Sequence, residues 1–250
     1  MKSNNDKCHL IVSTNETVEV QIGECSIKNS SKEKLLGVTI DSKLNFDYHV
    51  NHLCGKANQK LRALARATPY MTQEKKKIVM NSFFNSQFNY CPLIWMLHSR
   101  KNNNKIKHLH ERCLRLIYSD KSSSYENLLR KDDSVSIHHR NIQTLAIEMF
   151  KVKHNLCPEI TSDIFMKKTR NQYNLRNCTD FVVPQVNSVY SGTESISYLG
   201  PKIWEIVPEA IKNKMSLNSF KESIKTWVPI NCPCRLCKIY LDGVGFINTI

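Results

Sequence analysis

The sequence predicts an α+β fold that is mainly helical, with short antiparallel N-terminal strands, a helical bundle and a small C-terminal helical region. Two patterns indicate it. Residues 8–40 alternate between apolar and polar positions, as half-buried strands do, whereas from Phe46 onward apolar residues recur at steps of three and four, as on one face of a helix. The apolar fraction, 41% of 250 residues, suits a packed core.

The N-terminal β region is assigned to residues 1–42. Strands are predicted at residues 8–12, 17–22 and 35–40, with polar turns between them. Strands as short as these leave backbone edges exposed, and exposed edges pair readily with other chains.

A bundle of three amphipathic helices is predicted over residues 43–118. The first begins near Phe46 and ends before Pro69. The second follows Thr72, whose side chain suits an N-cap, and ends at Cys91-Pro92. The predicted inward-facing residues are Phe46, Val50, Leu53, Ala57, Leu61 and Leu64 in the first helix, Ile78, Val79, Phe83 and Phe84 in the second, and Ile106, Leu109, Cys113, Leu116 and Ile117 in the third.

A helical extension is predicted over residues 119–168. Ser123-Ser-Tyr-Glu126 has capping-box spacing and begins a short helix. Ser136 then caps a longer helix whose apolar face consists of Ile142, Leu145, Ala146, Met149 and Phe150.

Residues 169–230 are predicted to combine an irregular strap, residues 169–190, with two short helices. Tyr173 and Arg176 in the strap suit stacking on a nucleic acid strand, or equally local packing. One helix places Pro201 at its first position and Trp204 on its buried face. The other, capped by Ser216 or Asn218, carries Phe220, Ile224 and Trp227.

The charge is concentrated in one segment. The chain has a formal net charge of +14, and residues 43–118 hold fourteen Lys and Arg against three acidic residues, a net +11. Such a segment attracts polyanions. The candidate phosphate-binding residues are Lys56, Lys60, Arg62, Arg66, Lys75, Lys76, Lys77, Lys105, Arg112 and Arg115.

The lysine run at residues 75–77 opposes the macrodipole at the predicted start of the second helix. An anion bound there would explain the run; a solvated lysine face is the alternative.

Several protein classes are disfavoured. No apolar run approaches the ~20 residues of a membrane span and no signal peptide is evident, so we expect an intracellular protein, nuclear or cytoplasmic, without a membrane partner. No Gly-rich phosphate loop, serine elbow or metal-binding acidic cluster indicates an independent enzyme. No catalytic residue is therefore assigned.

The ten cysteines are expected to be reduced, with Cys54, Cys91 and Cys113 filling the core. Within the Cys-rich tail, residues 231–250, the run Cys232-Pro-Cys234-Arg-Leu-Cys237 offers three soft ligands for zinc. The fourth ligand stays open between Cys178, Cys157 and His154. Reduced structural thiols without metal are the alternative.

Two histidine pairs are not expected to bind metal. His108 and His110 point to different faces of a helix, and no third ligand has suitable spacing. The same holds for His138 and His139, so the sequence assigns none of the four to a metal site.

Two blocks resemble a specific family. Ser86-Gln-Phe-Asn-Tyr90-Cys-Pro-Leu-Ile-Trp95-Met-Leu-His98-Ser-Arg100, followed by Ile106-Lys-His-Leu-His110-Glu-Arg112, resembles the region downstream of the polymerase palm in reverse transcriptases of non-LTR (LINE-type, jockey-like) retrotransposons. Further blocks, including Ser136-Ile-His138-His-Arg140 and Leu199-Gly-Pro201-Lys-Ile-Trp204, extend the resemblance over nearly the whole chain.

The resemblance implies that residues 1–42 end a palm-like sheet and that residues 43–118 form a thumb that grips template-primer. It also implies that catalysis needs metal-binding palm carboxylates. The only adjacent aspartates, Asp132-Asp133, are instead predicted to lie at a solvated helix end. We therefore expect a non-catalytic C-terminal fragment of an RNA-directed DNA polymerase, which binds RNA, DNA or a hybrid. The alternatives are a docking module for palm and fingers supplied in trans, and a degenerate remnant without activity.

Overall fold

Helices dominate the computed structural model, which describes residues 8–13, 16–23, 25–168, 180–186, 192–193, 195–241 and 245–248. The predicted class, α+β and mainly α, is confirmed. The chain divides into two compact units. Unit 1 comprises residues 1–109 and 116–118, and unit 2 comprises residues 110–115 and 119–250. No helix in the described part is both long and apolar enough to cross a bilayer.

A three-stranded sheet opens unit 1, in the order β1-β3-β2. Its strands are β1 (Leu10–Ile11), β2 (Glu19–Ile22) and β3 (Cys25–Ser30). β2 and β3 are antiparallel, whereas β1 runs parallel to β3, so one pair departs from the antiparallel prediction. β3 was not predicted because its sequence, Cys-Ser-Ile-Lys-Asn-Ser, carries few apolar residues.

The third predicted strand, residues 35–40, is wrong because the chain reverses within it. β4 (Lys32–Leu35) and β5 (Val38–Asp41) form an antiparallel hairpin around Leu36 and Gly37. Both turn residues have positive φ, 47° and 88°, as a two-residue hairpin turn of the I′ type requires. The Tyr90 hydroxyl donates a hydrogen bond to the Leu36 carbonyl at 2.6 Å, which fixes the turn.

The first bundle helix follows its prediction. α1 (Asp47–Ala67) ends before Pro69 and buries four of the six predicted core positions, while Leu64 and the N-cap residue Phe46 are half-buried. The buried four are Val50, Leu53, Ala57 and Leu61.

α2 (Gln73–Phe83) begins at the predicted cap, Thr72, but differs from the prediction in its buried face and its end. Phe84 is buried as predicted and Val79 is half-buried, but Ile78 and Phe83 are exposed, and Met80, which was not predicted, is buried. The helix ends well before Cys91-Pro92. A 3-10 turn at Asn85–Gln87 redirects the chain so that Phe84 and Phe88 pack together, with ring centroids 5.4 Å apart.

Pro92 begins a helix instead of ending one. It is the first residue of α3 (Pro92–Trp95), where the missing N–H costs nothing. α4 (Arg100–Tyr118) then buries four of its five predicted positions, Ile106, Leu109, Cys113 and Ile117, while Leu116 is half-buried. α4 contributes residues to both units.

Unit 2 is built around α6 (Ile137–Lys153), which starts at the predicted cap, Ser136. All five predicted core residues of α6 are buried. The preceding helix, α5 (Tyr125–Asp132), is capped by Ser124, one residue after the predicted Ser123. α5 ends as predicted at Asp132, and Asp133 is its exposed left-handed C-cap.

The remaining elements of unit 2 are short: α7 (Glu159–Ile164), α8 (Ile196–Ile206), α9 (Glu209–Lys212), α10 (Leu217–Ile224), and the hairpin of β6 (Lys238–Leu241) and β7 (Gly245–Asn248). Two predictions are corrected. Pro201 lies inside α8, which begins after Ser195, and Trp227 lies beyond the end of α10. Ser216 is the cap of α10, and Trp204, Phe220 and Ile224 are buried as predicted.

The core of unit 2 is aromatic. Phe150 of α6 stacks on Phe220 of α10 with ring centroids 4.3 Å apart, and Trp204 of α8 lies 6.0 Å from Phe220. These rings hold three helices together. Gly200 of α8 also approaches α6 closely, because a Cβ placed there would lie 2.9 Å from Met149 Sδ and 2.5 Å from Phe165 Cε1.

We predict that Gly200→Ala destabilises the protein, because the added methyl group overlaps Phe165 and Met149. Overpacking of this kind costs about 1–3 kcal/mol. The matched control is Gly55→Ala in α1, where nothing lies within 4 Å and the helix gains about 0.5–1 kcal/mol. Thermal unfolding should show opposite shifts in Tm for the two variants; equal shifts would contradict the close packing of α8.

Candidate metal centre

Four buried side chains in unit 2 bring their ligand atoms together: His138, Cys232, Cys234 and Cys237. These atoms, one imidazole nitrogen and three sulfurs, all lie within 4.8 Å of one another. The four residues are between 2% and 9% exposed. They form the one group in the described part of the chain with the composition and spacing of a metal site.

Helix α6 positions the imidazole. The Ser136 side chain accepts a hydrogen bond from the His139 backbone N–H at 3.1 Å, which fixes where the helix starts. His138 is the second helical residue, and its Nε2 lies 3.3 Å from both Cys234 Sγ and Cys237 Sγ. Its Nδ1 finds no hydrogen-bond partner in the described part of the chain, so packing sets the ring orientation.

A turn between α10 and β6 positions the sulfurs. The Cys237 N–H donates to the Cys234 carbonyl at 3.2 Å, which closes the turn around Arg235 and Leu236. Asn231 adopts a left-handed conformation, φ 60°, immediately before Cys232. The two bends place three sulfurs on one side of a six-residue stretch.

The electrostatics of the group favour a thiolate. Hydrogen bonds from the Cys232 and Cys237 thiols lower the pKa of Cys234 well below its ordinary value. Hydrogen bonds with Cys234 and Cys237 raise the pKa of Cys232. Burial lowers the pKa of His138, but hydrogen bonds to Cys234 and Cys237 outweigh it and raise this pKa to about 10. Thiolate is the form of cysteine that binds metals, so these shifts favour Cys234 as a ligand, whereas Cys232 and His138 would each have to lose a proton when a metal binds.

The distances also fit a four-coordinate ion. In a tetrahedral zinc site, with Zn–S near 2.3 Å and Zn–N near 2.05 Å, ligand atoms lie about 3.6–3.8 Å apart. The separations here run from 3.3 Å between His138 Nε2 and two sulfurs to a limit of 4.8 Å across the group. They bracket the tetrahedral values, so small side-chain movements suffice. The four residues could hold a metal ion.

The sequence predicted the three cysteines but missed the histidine. Of its candidates for the fourth ligand, Cys157 lies 3.5 Å from Ser162 Oγ, and the His154 ring packs on Phe150 at 4.2 Å. Cys178 lies outside the described residues. The fourth residue beside the three cysteines is instead His138, which the sequence had not indicated as a ligand.

Sequence spacing does not identify His138 as a metal ligand, because no other ligand of suitable spacing lies near it in the chain. Its partners lie 94 to 99 residues further along the chain. Local spacing carries no signal for such a site. His139 does not join the group, and burial lowers its pKa to about 4.

The other histidine pair, also set aside, plays different roles. His108 is exposed on α4. His110 is buried, and its Nδ1 lies 2.8 Å from the Tyr125 hydroxyl. Burial lowers the pKa of His110 to about 3, so it is neutral at physiological pH.

The predicted phosphate-binding residues have different surroundings. Lys56, Arg62, Arg66, Lys75 and Arg112 are exposed; Lys60, Lys76, Lys77, Lys105 and Arg115 are half-buried. Lys77 Nζ lies 5.2 Å from the centroid of the Tyr118 ring, and Lys105 Nζ donates to Asn51 Oδ1. Arg115 donates to Glu111 and to the carbonyl of Ser123. The predicted clamp residues Tyr173 and Arg176 lie outside the described residues.

No protein-family model matches the chain, and no curated protein or solved structure shows significant similarity to it. The resemblance to non-LTR reverse transcriptases therefore stays a prediction.

We predict that the purified protein contains one zinc ion per chain and that Cys234→Ser removes it, since this substitution deletes the thiolate at the centre of the group. Elemental analysis by mass spectrometry measures the content. Cys157→Ser, outside the group, is the control and should keep its zinc. A wild-type protein that stays metal-free after refolding with zinc would contradict the prediction.

Proposed function

We propose that this protein binds nucleic acid through basic side chains of unit 1 and does not catalyse nucleotide transfer. The observation that carries the proposal is a set of four basic residues on α1: Lys56, Lys60, Arg62 and Arg66. None of them makes an ion pair within the described part of the chain. Unbalanced cations on one helix suit a polyanionic partner.

The spacing on α1 strengthens the proposal. Lys56 and Lys60 are four residues apart, as are Arg62 and Arg66, so like charges are surface neighbours. The single acidic residue of α1, Asp47, lies at its start and accepts a hydrogen bond from Asn102. Like-charged neighbours destabilise a helix by a few tenths of a kcal/mol per pair, a penalty that phosphate groups would remove.

Several basic residues of unit 2, by contrast, are ion-paired. Its ion pairs join Lys131 to Asp120, Lys151 to Glu148, Lys153 to Asp180, Lys202 to Glu205, Lys212 to Glu209 and Lys225 to Glu222, at 2.7–3.2 Å. Both units are rich in lysine, but the four cations of α1 lie on one helix that carries a single acidic residue. We therefore assign the phosphate contacts to unit 1.

Lysines and arginines on a helix face contact phosphates and do not read bases. We propose binding without sequence preference, with RNA, DNA or a hybrid as ligand. Lys75, exposed at the first turn of α2, adds a contact next to the Thr72 cap. This arrangement agrees with the template-primer grip that the resemblance to polymerase thumbs implies.

The proposed lack of catalysis rests on the positions of the acidic side chains. Polymerase chemistry needs two divalent ions held by acidic side chains on a rigid element. The adjacent pair Asp132-Asp133 ends a helix, and Asp133 is an exposed cap. Among the described residues no group of acidic side chains forms a metal site, which supports the proposal that this chain alone does not catalyse nucleotide transfer.

For the metal centre we propose zinc. Three thiolates and one imidazole match the donors that structural zinc sites use, and they suit Mg²⁺ or Ca²⁺ poorly. Reduced cysteines of this kind imply an intracellular setting, nuclear or cytoplasmic.

A docking role is the second candidate, and the exposure of β2 favours it. All four residues of β2 are exposed, including Val20 and Ile22, at an edge of the sheet. An edge strand of this kind can add to a palm sheet supplied in trans. Co-purification with a palm fragment distinguishes it, since nucleic acid binding by α1 does not require that partner.

We predict that affinity for a labelled RNA–DNA hybrid falls steeply as salt is raised. Each phosphate contact contributes roughly 0.7–0.9 to the slope of log K against log salt. Replacing Lys56, Lys60, Arg62 and Arg66 by Gln should lower the slope by roughly 3 if all four contact phosphates. Fluorescence anisotropy over a salt series measures both quantities.

The control removes the same number of charges from unit 2, with Lys131, Lys151, Lys202 and Lys225 replaced by Gln. These lysines are ion-paired, so the slope should change little. Equal effects of the two variants, or no binding at 50 mM salt, would refute the assignment to α1. A polymerase assay with magnesium and manganese on the same sample should show no incorporation.

A further inference from the structure

We propose that His138 completes a structural zinc site and that zinc, through His138, fastens the segment of residues 228–237 onto α6. This inference rests on the proposal that the centre binds zinc. It adds what the metal does there: it decides whether the end of unit 2 is docked or free.

The segment between α10 and β6 lacks regular structure of its own. Residues 225–237 consist of turns and extended backbone. No ladder of strand hydrogen bonds and no helical bonding holds this stretch, so its position depends on contacts made by side chains.

Two attachments to α6 are present, one just before residues 228–237 and one in the second half of this segment. At the first, the buried Gln143 side chain donates from Nε2 to the carbonyls of Lys225 at 3.0 Å and Trp227 at 2.8 Å. At the second, His138 faces the three cysteines. The first attachment consists of neutral hydrogen bonds and needs no ion.

Between the two attachments little apolar surface is buried. Val228 is 44% exposed and Ile230 is 77% exposed, and Pro229 between them is buried. The hydrophobic effect therefore holds this part of the segment weakly, and the buried residues of its second half are the cysteines. The docking of residues 228–237 depends on what holds those sulfurs.

Without a metal, the sulfurs are held by weak donors and acceptors only. A thiol is a poor hydrogen-bonding group, and three of them with an imidazole make an expensive set to bury. A zinc ion replaces these contacts with coordination bonds, and metal-binding free energy of this kind appears as folding free energy. Docking of the segment is therefore coupled to metal loading, while the Gln143 attachment is not.

The test compares the full chain with and without zinc. Amide hydrogen exchange should become at least tenfold faster for residues 228–237 after a chelator removes the metal, while residues 142–150 of α6 stay protected. Trypsin gives a second readout, because cleavage after Arg235 should accelerate with zinc removal. Cleavage at the exposed Arg62 serves as the reference.

Two variants separate ligation from packing. His138→Asn should weaken zinc binding by more than the roughly tenfold loss typical of second-shell changes. His138→Cys should restore binding, because a site of four cysteines also holds zinc. A histidine that only fills space would show no such rescue. Gln143→Ala should speed exchange near Lys225 and leave the zinc content unchanged.

The failures are distinguishable. If elemental analysis finds no zinc in refolded wild type, the zinc proposal falls and this inference falls with it. If zinc is bound but its removal leaves exchange at residues 228–237 unchanged, the zinc proposal survives and the fastening role is wrong. If His138→Asn binds zinc as wild type does, the fourth ligand lies elsewhere.

Discussion

The stacking of Phe150 on Phe220, with ring centroids 4.3 Å apart, is the contact on which the metal centre depends. Those rings join α6 to α10, and the cysteines begin eight residues after the end of α10. Bringing His138 to Cys234 closes a loop of 96 residues, which costs conformational entropy that the ligands alone recover only when metal is bound. The aromatic core therefore has to form for the four ligands to meet.

The two units differ in how they balance charge. Six lysines of unit 2 pair with carboxylates three residues away or more distant in the chain, whereas α1 presents two like-charged pairs with one acid at its start. The total of +14 does not reveal this difference, because both units contain many lysines. Pairing, which depends on side-chain neighbours, is what separates a solvated surface from a candidate binding surface.

Local signals in the sequence were sufficient for much of the fold. The caps at Thr72 and Ser136 and the core face of α6 follow from side-chain chemistry within one or two helical turns and were predicted correctly, and Ser216 was one of two caps predicted for α10. Residues whose environment depends on distant parts of the chain were predicted incorrectly. Ile78 and Phe83 are apolar yet exposed, because the turn after Phe84 sets which face of α2 is buried. His138 belongs to the metal centre for the same kind of reason, since its partners lie more than ninety residues away.

Gly200 also limits how unit 2 can move. Packed helices commonly slide past one another by small shear steps, which side chains absorb by changing rotamer. At Gly200 the backbone of α8 itself meets Met149 and Phe165, leaving no side chain there to adjust. Axial sliding of α8 along α6 would drive the neighbouring bulky residues of α8 against the same two side chains. The close approach at Gly200 therefore opposes sliding of α8 along α6, the helix that carries His138.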